Sequence, residues 1–432
     1  MLLLKVYVID EMMGSGKTSA MINHVNSSPD NKRFLFITPY CDEDVRIQQA
    51  CPEKHFYIPV NSEGTKLMDI KRLMREGKNI ASTHALFTYF DQEVIDLVAS
   101  RGYSLVIDEE MCLIDKPDIT QHDLKMMFAH HIEVDEDSSV RWITPDYTGR
   151  LDCDKREIEK GFYKCYADTT LLRVLPVDIF TAFEEVFVMT YLFEHSYHAA
   201  YFTINNIEWT RMYVAGNSLD TYKLTKEPQP QKKIDLRNLI HICDNEKMNA
   251  IGNPRDGREK PLTKGWYGRN IILKDGKNGT KTSDSAMAKQ LSRNTYNFFR
   301  WYSGTKSKNN LWTTFTEYKN AIKGPGFSSA VAPRGCFLAC NARATNEHRN
   351  RTALAYLVNR YMDTNIKNWL IQKGVHISDD GFALSEMVQW IWRSAIRDGK
   401  EIWIYIPSRR MRTLLIDWMD SLAEGGDTNA TM

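Results

Sequence analysis

Gly14-Ser15-Gly16-Lys17-Thr18 is the stretch whose residue types and spacing point most directly to chemistry. Glycines let backbone N–H groups close around an anion. A helix starting directly behind them aims its own N-terminal N–H groups at the same charge. Lysine and threonine at that place supply a cation for terminal phosphates and a hydroxyl ligand for Mg²⁺. Gly14, Ser15, Gly16, Lys17 and Thr18 are therefore the candidate phosphate-binding set, with Thr18 also a metal ligand. The flanks agree, since Leu2 to Ile9 reads as a buried strand and Ser19 to Val25 as a helix. The full phosphate-loop pattern asks for glycine five places before Gly16, where this chain has Glu11. Without its flanks the stretch would be an ordinary glycine-rich turn.

A second stretch complements the first. Leu105-Val-Ile-Asp-Glu-Glu110 is an apolar run that ends in acids. Asp108 would share Mg²⁺ with Thr18, and Glu109 would polarise an attacking water. Alone, a strand ending in acids also has a structural reading; downstream of a phosphate loop, the two strands supply the halves of one metal–phosphate site. Near the other end, Gln389, Arg393 and Arg397 are spaced by four on a helix expected over Leu384 to Asp398, which puts them on one face. An amide and two arginines in a row suit clamping a γ-phosphate. The same spacing also describes a solvated basic face with Trp390, Ile391 and Ile396 turned inward.

The elements that must position these groups alternate. Strands are expected at Arg33 to Tyr40, His55 to Val60, Lys78 to Phe87 and Tyr103 to Glu110, and helices at Asp42 to Ala50, Lys66 to Arg75 and Gln92 to Ser100. Such alternation implies a parallel sheet covered on both faces, with functional groups at the carboxyl ends of its strands. Thr38, Thr83 and Asp108 fall there. Residues 112–185 read mostly as helix and loop. Glu184 to Tyr191 is a strand with Thr190 at its end, and 201–240 is weakly strand-like. Farther on, strands are expected at Leu311 to Phe315, Gly335 to Cys340 and Glu401 to Ile406. Helices are expected at Ser292 to Trp301, Ala353 to Tyr361, Ile366 to Lys373 and Met411 to Ala423, before a polar, disordered tail from Glu424.

A chain of 432 residues is too long for one ordinary core and suits two domains. Its 56 basic and 55 acidic side chains leave a formal charge of +1, so bulk charge does not advertise nucleic-acid binding and any such surface is a local patch. One candidate is Gly252 to Ser285, with eight Lys/Arg against four Asp/Glu and with Trp266 and Tyr267 among them. It would track a phosphate backbone and stack a base, or it is a solvated insertion. The eight cysteines are scattered without a Cys-x-x-Cys pair, which favours reduced thiols in a cytoplasmic protein over zinc. No signal peptide and no membrane span is expected.

Together these stretches resemble the superfamily-2 (DEAD/DEAH-like) helicases. Gly14 to Thr18 resembles motif I, Thr38-Pro39 motif Ia, Ser82-Thr83-His84 a nucleic-acid motif, and Asp108-Glu109-Glu110 motif II. Thr190 stands where motif III belongs, Asn341-Ala-Arg-Ala-Thr-Asn346 in the place of motif V, and Gln389 to Arg397 in that of motif VI. Phe337 to Arg351 and Gln389 to Arg397 are further similar to the helicase-like replication proteins of bacteriophages. The resemblance implies two RecA-like α/β domains with parallel sheets, 1–205 and 206–432, the second with an irregular basic insertion around 252–285. It implies an ATP and Mg²⁺ site in the cleft between them, with Glu109, Gln389, Arg393 and Arg397 as catalytic groups. Thr38, Thr83, Thr190 and Arg343 are then nucleic-acid contacts. DNA rather than RNA, other replication proteins as partners and the host cytoplasm follow from the phage likeness. The chain departs from the family in three places: the arginines lie four and eight places after Gln389 rather than four and seven, motif III lacks Ser-Ala-Thr, and no adenine-reading glutamine motif stands upstream. Two other activities fit the same residues. One is a P-loop ATPase that translocates or remodels nucleoprotein without unwinding; the other is an ATP-regulated origin-binding or recruitment factor.

Overall fold

The computed structural model describes residues 4–61, 64–230, 233–275, 279–324, 336–342 and 347–425. Two compact units emerge, Met1–Gln229 with Asp363–Ile377 and Pro230–Met362 with Ser378–Met432. Each is built on a mostly parallel sheet, the mixed α/β architecture that two RecA-like domains require.

The first unit holds an eight-stranded sheet. Its spatial order is Lys223–Thr225, Trp209–Ala215, Lys5–Asp10, Glu185–Thr190, Tyr103–Asp108, Arg33–Thr38, Asn79–Thr83 and Phe56–Tyr57. All neighbours run parallel except the antiparallel edge strand Lys223–Thr225. Runs such as Phe34-Leu-Phe-Ile37 and Leu105-Val-Ile107 are fully buried, as strands covered on both faces must be. On one face the helices Lys17–Ser27 and Cys41–Ala50 bring Met21, Val25 and Ile47 against Phe34, Phe36, Val106 and Phe187. Register decides where the site forms: Asp10 pairs with Thr190 and Asp108 with Met189, so the ends of three neighbouring strands lie nearly level.

Several expectations are corrected here. The boundary at 205/206 falls too early, because Trp209–Ala215 pairs in parallel with the first strand and carries Lys223–Thr225 with it. Residues 112–185 contain a three-stranded antiparallel sheet, Ile114–Asp115, Thr170–Val174 and Tyr163–Tyr166, and the hairpin Ile132–Val134 with Val140–Trp142. Strands this short carry too few alternations to be seen as a period. The strand expected over Lys78 to Phe87 stops at Thr83, whose hydroxyl accepts from Leu86 N–H and caps a short helix, His84–Phe87.

The second unit has a four-stranded parallel sheet in the order Ile240–Ile242, Ile402–Tyr405, Ala353–Tyr356 and Asn310–Thr313. Ala353–Tyr356, expected as a helix, is a wholly buried strand; a short apolar run does not distinguish the two by periodicity. Of the strand expected over Gly335 to Cys340, the described part makes an isolated bridge between Phe337 and Trp312. The helix expected over Leu384 to Asp398 is Asp379–Ile391, followed by a turn and a 3-10 helix, Ala395–Asp398. Ser394 helps end it, its hydroxyl donating to the Ile391 carbonyl at 2.7 Å. The disordered tail expected from Glu424 falls largely outside the described residues, which end at Gly425. Among the described residues no helix is long and apolar enough to cross a membrane.

The basic stretch 252–285 is also corrected in its aromatic part. Trp266 and Tyr267 lie on the helix Lys264–Asn270 and are 3% and 0% exposed, in one core with Trp312, Leu357 and Tyr405. The Tyr267 hydroxyl donates to the Leu357 carbonyl at 2.6 Å, and Trp266 Nε1 donates to Glu259 at 3.2 Å. They anchor the sheet and are closed to a nucleic-acid base. Replacing either by alanine should destabilise the second unit by about 3–5 kcal/mol, read from denaturant unfolding. A loss below ~0.5 kcal/mol, the range of surface changes, would place them back on the surface.

Candidate nucleotide site

Strand Lys5–Asp10 ends and the chain turns through Glu11 to Gly16 into helix Lys17–Ser27. Gly14 and Gly16 hold φ of +82° and +89°, left-handed values that glycine reaches without a Cβ clash. Gly16 caps the helix, and Ala20 N–H already bonds its carbonyl at 2.8 Å. The Lys17 ammonium bends back over the loop, donating to the Glu11 carbonyl and to the Met12 carbonyl at 2.9 Å. A side chain held there stands where a phosphate entering the loop would meet it.

The other half of the site arrives from Tyr103–Asp108. Thr18 Oγ1 donates to Asp108 Oδ1 at 3.4 Å, so the two expected Mg²⁺ ligands meet. Glu109 follows with φ +64°, a left-handed conformation that costs a residue with a Cβ, and its N–H is held by the Met189 carbonyl at 3.0 Å. The backbone thus turns at the residue expected to handle water. His84 Nε2 lies 3.0 Å from the Asp108 carbonyl, tying the Ser82-Thr83-His84 stretch to the acidic strand.

Charge is concentrated here. Burial, reinforced by neighbouring Glu109, raises the Asp108 carboxyl to about 7. Burial lowers Lys17 to about 8, against the pull of Asp10, Asp108, Glu11 and Glu109. Hydroxyl and carboxylate oxygens are the hard donors Mg²⁺ takes. Thr18 and Asp108 therefore fit such an ion, whose remaining ligands would come from outside the protein. Among the described residues no cluster of three or more His, Cys, Asp or Glu is arranged to hold a metal without that help.

Residues the sequence reading passed over complete the loop. The glycine replaced by Glu11 is compensated by strand Trp209–Ala215. Burial raises the Glu11 carboxyl, while Lys17, Arg211 and a hydrogen bond from the Val214 backbone oppose that shift. Arg211 Nη2 also donates to the Asp10 carbonyl at 3.1 Å. The signal was present in the alternating Trp209-Thr-Arg-Met-Tyr-Val214, but the early domain boundary assigned it elsewhere.

The remaining candidates disperse. Thr38 is fully buried, and its hydroxyl donates to Asp44 at 2.6 Å, leaving no face for a nucleic acid. Thr190 is 5% exposed and sits between the two site strands, its carbonyl accepting from Glu11 N–H. Thr83 keeps a partly exposed side chain, and Arg343 lies outside the described residues. In the second unit Gln389 is on the helix and bonds Ser385, whereas Arg393 follows in the turn and Arg397 in the 3-10 helix. The shared helical face is therefore corrected. Arg393 is buried and Arg397 exposed.

The raised Asp108 has a consequence for stability. The folded protein keeps a proton on Asp108 that the unfolded chain releases near 3.8, so Asp108's contribution to stability falls as pH rises from there to about 7. Asp108→Asn should flatten that part of the pH–melting profile; an unchanged slope would mean that the carboxyl titrates normally.

Comparison with known proteins gives the family. Residues 234–419 match the family described as the YonV C-terminal Rossmann-like domain. Among solved structures, two titled as XPD, one apo and one as helicase, have a TM-score of 0.48 at 11% and 10% identity. They cover 95% and 98% of this chain and 95% of their own. The S. tokodaii Xpd4 structure has a TM-score of 0.46 at 11% identity, covering 96% of this chain and 93% of its own. Scores below 0.5 add nothing to the geometry above. The SPbeta prophage-derived uncharacterized protein YonV of Bacillus subtilis (strain 168) is 35% identical, over 96% of this chain and 99% of its own length. At that identity and coverage, the chain belongs to the YonV family.

Proposed function

We propose that this protein is an ATP-dependent nucleic-acid helicase or translocase that acts on DNA in the host cytoplasm alongside other replication proteins. The observation that carries the reading is the meeting of Thr18 with Asp108 at 3.4 Å, with Lys17 over the loop and Glu109 next in the chain. In this reading Gly14, Ser15 and Gly16 offer backbone N–H groups to the phosphates. Lys17 moves from the loop carbonyls to the terminal phosphates. Bound Mg²⁺, held by Thr18 and Asp108, would neutralise charge on the phosphate oxygens. Glu109 orients a water and takes up its proton as the oxygen attacks the γ-phosphorus, whose bond to the β–γ bridging oxygen breaks so that ADP leaves. The prophage origin of the B. subtilis relative supports the DNA and phage setting.

Nucleic acid is proposed to run past Thr83, which is partly exposed, and Arg343. Gln389, Arg393 and Arg397 are the proposed charge-stabilising groups. Of the two arginines, exposed Arg397 is the one whose replacement by alanine should lower kcat while leaving the melting temperature unchanged. Buried Arg393→Ala should lower the melting temperature first. Normal turnover in a fully folded Arg397→Ala variant would remove it from catalysis.

The test of the whole reading is the ATPase rate with and without single-stranded DNA, duplex DNA and RNA, beside a strand-separation assay. Stimulation by DNA with strand separation is expected. Stimulation without separation would make the protein a translocating or remodelling ATPase, and no stimulation would leave a nucleotide-regulated binding factor. Lys17→Ala should abolish turnover in a folded protein; wild-type turnover would end the phosphate-loop assignment. Glu109→Gln keeps size and hydrogen bonding, so ATP should still bind while turnover drops at least ~100-fold. Loss of ATP binding instead would give Glu109 a metal-holding or folding role.

A further inference from the structure

We propose that Tyr222 is the platform on which the nucleotide's base stacks, an inference that rests on the phosphate-loop reading above. The sheet gives the site a direction. On one side of Lys5–Asp10 lie Glu185–Thr190 and Tyr103–Asp108, which carry the acids to the terminal-phosphate end; on the other lie Trp209–Ala215 and Lys223–Thr225. A triphosphate whose γ end faces Asp108 and Glu109 therefore sends its nucleoside toward the opposite side, and Tyr222 stands there, directly before the edge strand.

The ring is built against the loop. A Cβ placed on Gly16 would lie 2.6 Å from Tyr222 Cζ and 2.7 and 2.8 Å from its two Cε atoms, so the phenol end of the ring packs directly on this glycine. Its backbone is held from the helix behind the loop, since Asn23 Nδ2 donates to the Tyr222 and Leu219 carbonyls, both at 2.9 Å. The turn before it is stiff. Tyr222 N–H bonds the Ser218 carbonyl at 3.0 Å, and Gly216, at φ +101°, brings its Cα so near Thr221 that a Cβ would lie 2.4 Å from the Thr221 carbonyl oxygen. Tyr222 is only half-buried, so ring surface stays open beyond the loop. An aromatic ring held at the mouth of a phosphate loop gives a flat apolar surface to a flat heterocycle. Such stacking strengthens binding with little choice among bases. Tyr222 thus adds affinity for a nucleoside triphosphate and does not by itself select adenine.

The test compares ATP, GTP and inorganic tripolyphosphate, each with Mg²⁺, by calorimetric titration of wild type, Tyr222→Ala, Tyr222→Leu, Tyr222→Phe and Lys17→Ala, with folding checked by thermal melting. Tyr222→Ala and Tyr222→Leu should weaken ATP and GTP by about 10-fold or more, the range of one base on one aromatic, and leave tripolyphosphate unchanged. Tyr222→Phe should retain wild-type affinity, and Lys17→Ala should lose all three ligands. Equal weakening of tripolyphosphate would make the ring a brace of the loop, and unchanged or tighter ATP binding would make it a plug; either overturns the proposal. A wild-type protein that binds none of the three refutes the phosphate loop and this proposal together, whereas binding of all three without dependence on Tyr222 refutes this proposal alone.

Discussion

One ammonium, Lys17, faces Asp10, Glu11, Asp108 and Glu109 at the head of the first sheet. Burial, with Glu109 beside it, raises the Asp108 carboxyl, so the charged form of this cluster of acids is costly there. Such a cluster would also repel a nucleotide's polyphosphate. Divalent charge relieves both conflicts by pairing with the acids and the phosphate oxygens at once. On the proposed reading, an ion and a nucleotide entering together would balance these charges.

That concentration of charge exists because the sheet forces it. Parallel strands bring their carboxyl ends to one edge, and the register of Asp10 with Thr190 and of Asp108 with Met189 leaves the acids little freedom to move apart. The strand Glu185–Thr190 between the two site strands sets the gap that Thr18 spans to reach Asp108. Glu109 then leaves the strand in a left-handed turn held by the Met189 carbonyl. The strain is supported by the same central strand, so a disturbance of Glu185–Thr190 would reach both Asp108 and Glu109.

The loop's departure from the glycine pattern belongs to the same logic. Glu11 adds an acid to a crowded place, and strand Trp209–Ala215 answers with Arg211 and the Val214 backbone. Asn23 ties the following turn to the loop helix. The sheet's extension beyond its first strand therefore serves as a wall of the site, which explains why the first unit continues to Gln229.

By itself the sequence determined what local chemistry specifies. Glycines followed by Lys17-Thr18, and an apolar run ending in Asp108-Glu109, dictate a strand, a tight turn and a helix through steric freedom and burial alone, and both lie where expected. Tertiary structure decided whatever depended on distant partners. A short apolar run such as Ala353–Tyr356 became a strand because neighbours on both sides paired with it. Among its described residues the basic stretch kept its Lys and Arg exposed but gave Trp266 and Tyr267 to the core, because large aromatic area is stabilised by burial. Gln389, Arg393 and Arg397 lost their common face when the chain turned after Ile391. Arg211, Val214 and Tyr222 joined the loop only through a parallel pairing some two hundred residues along the chain, and contacts of that separation leave no period or spacing to read.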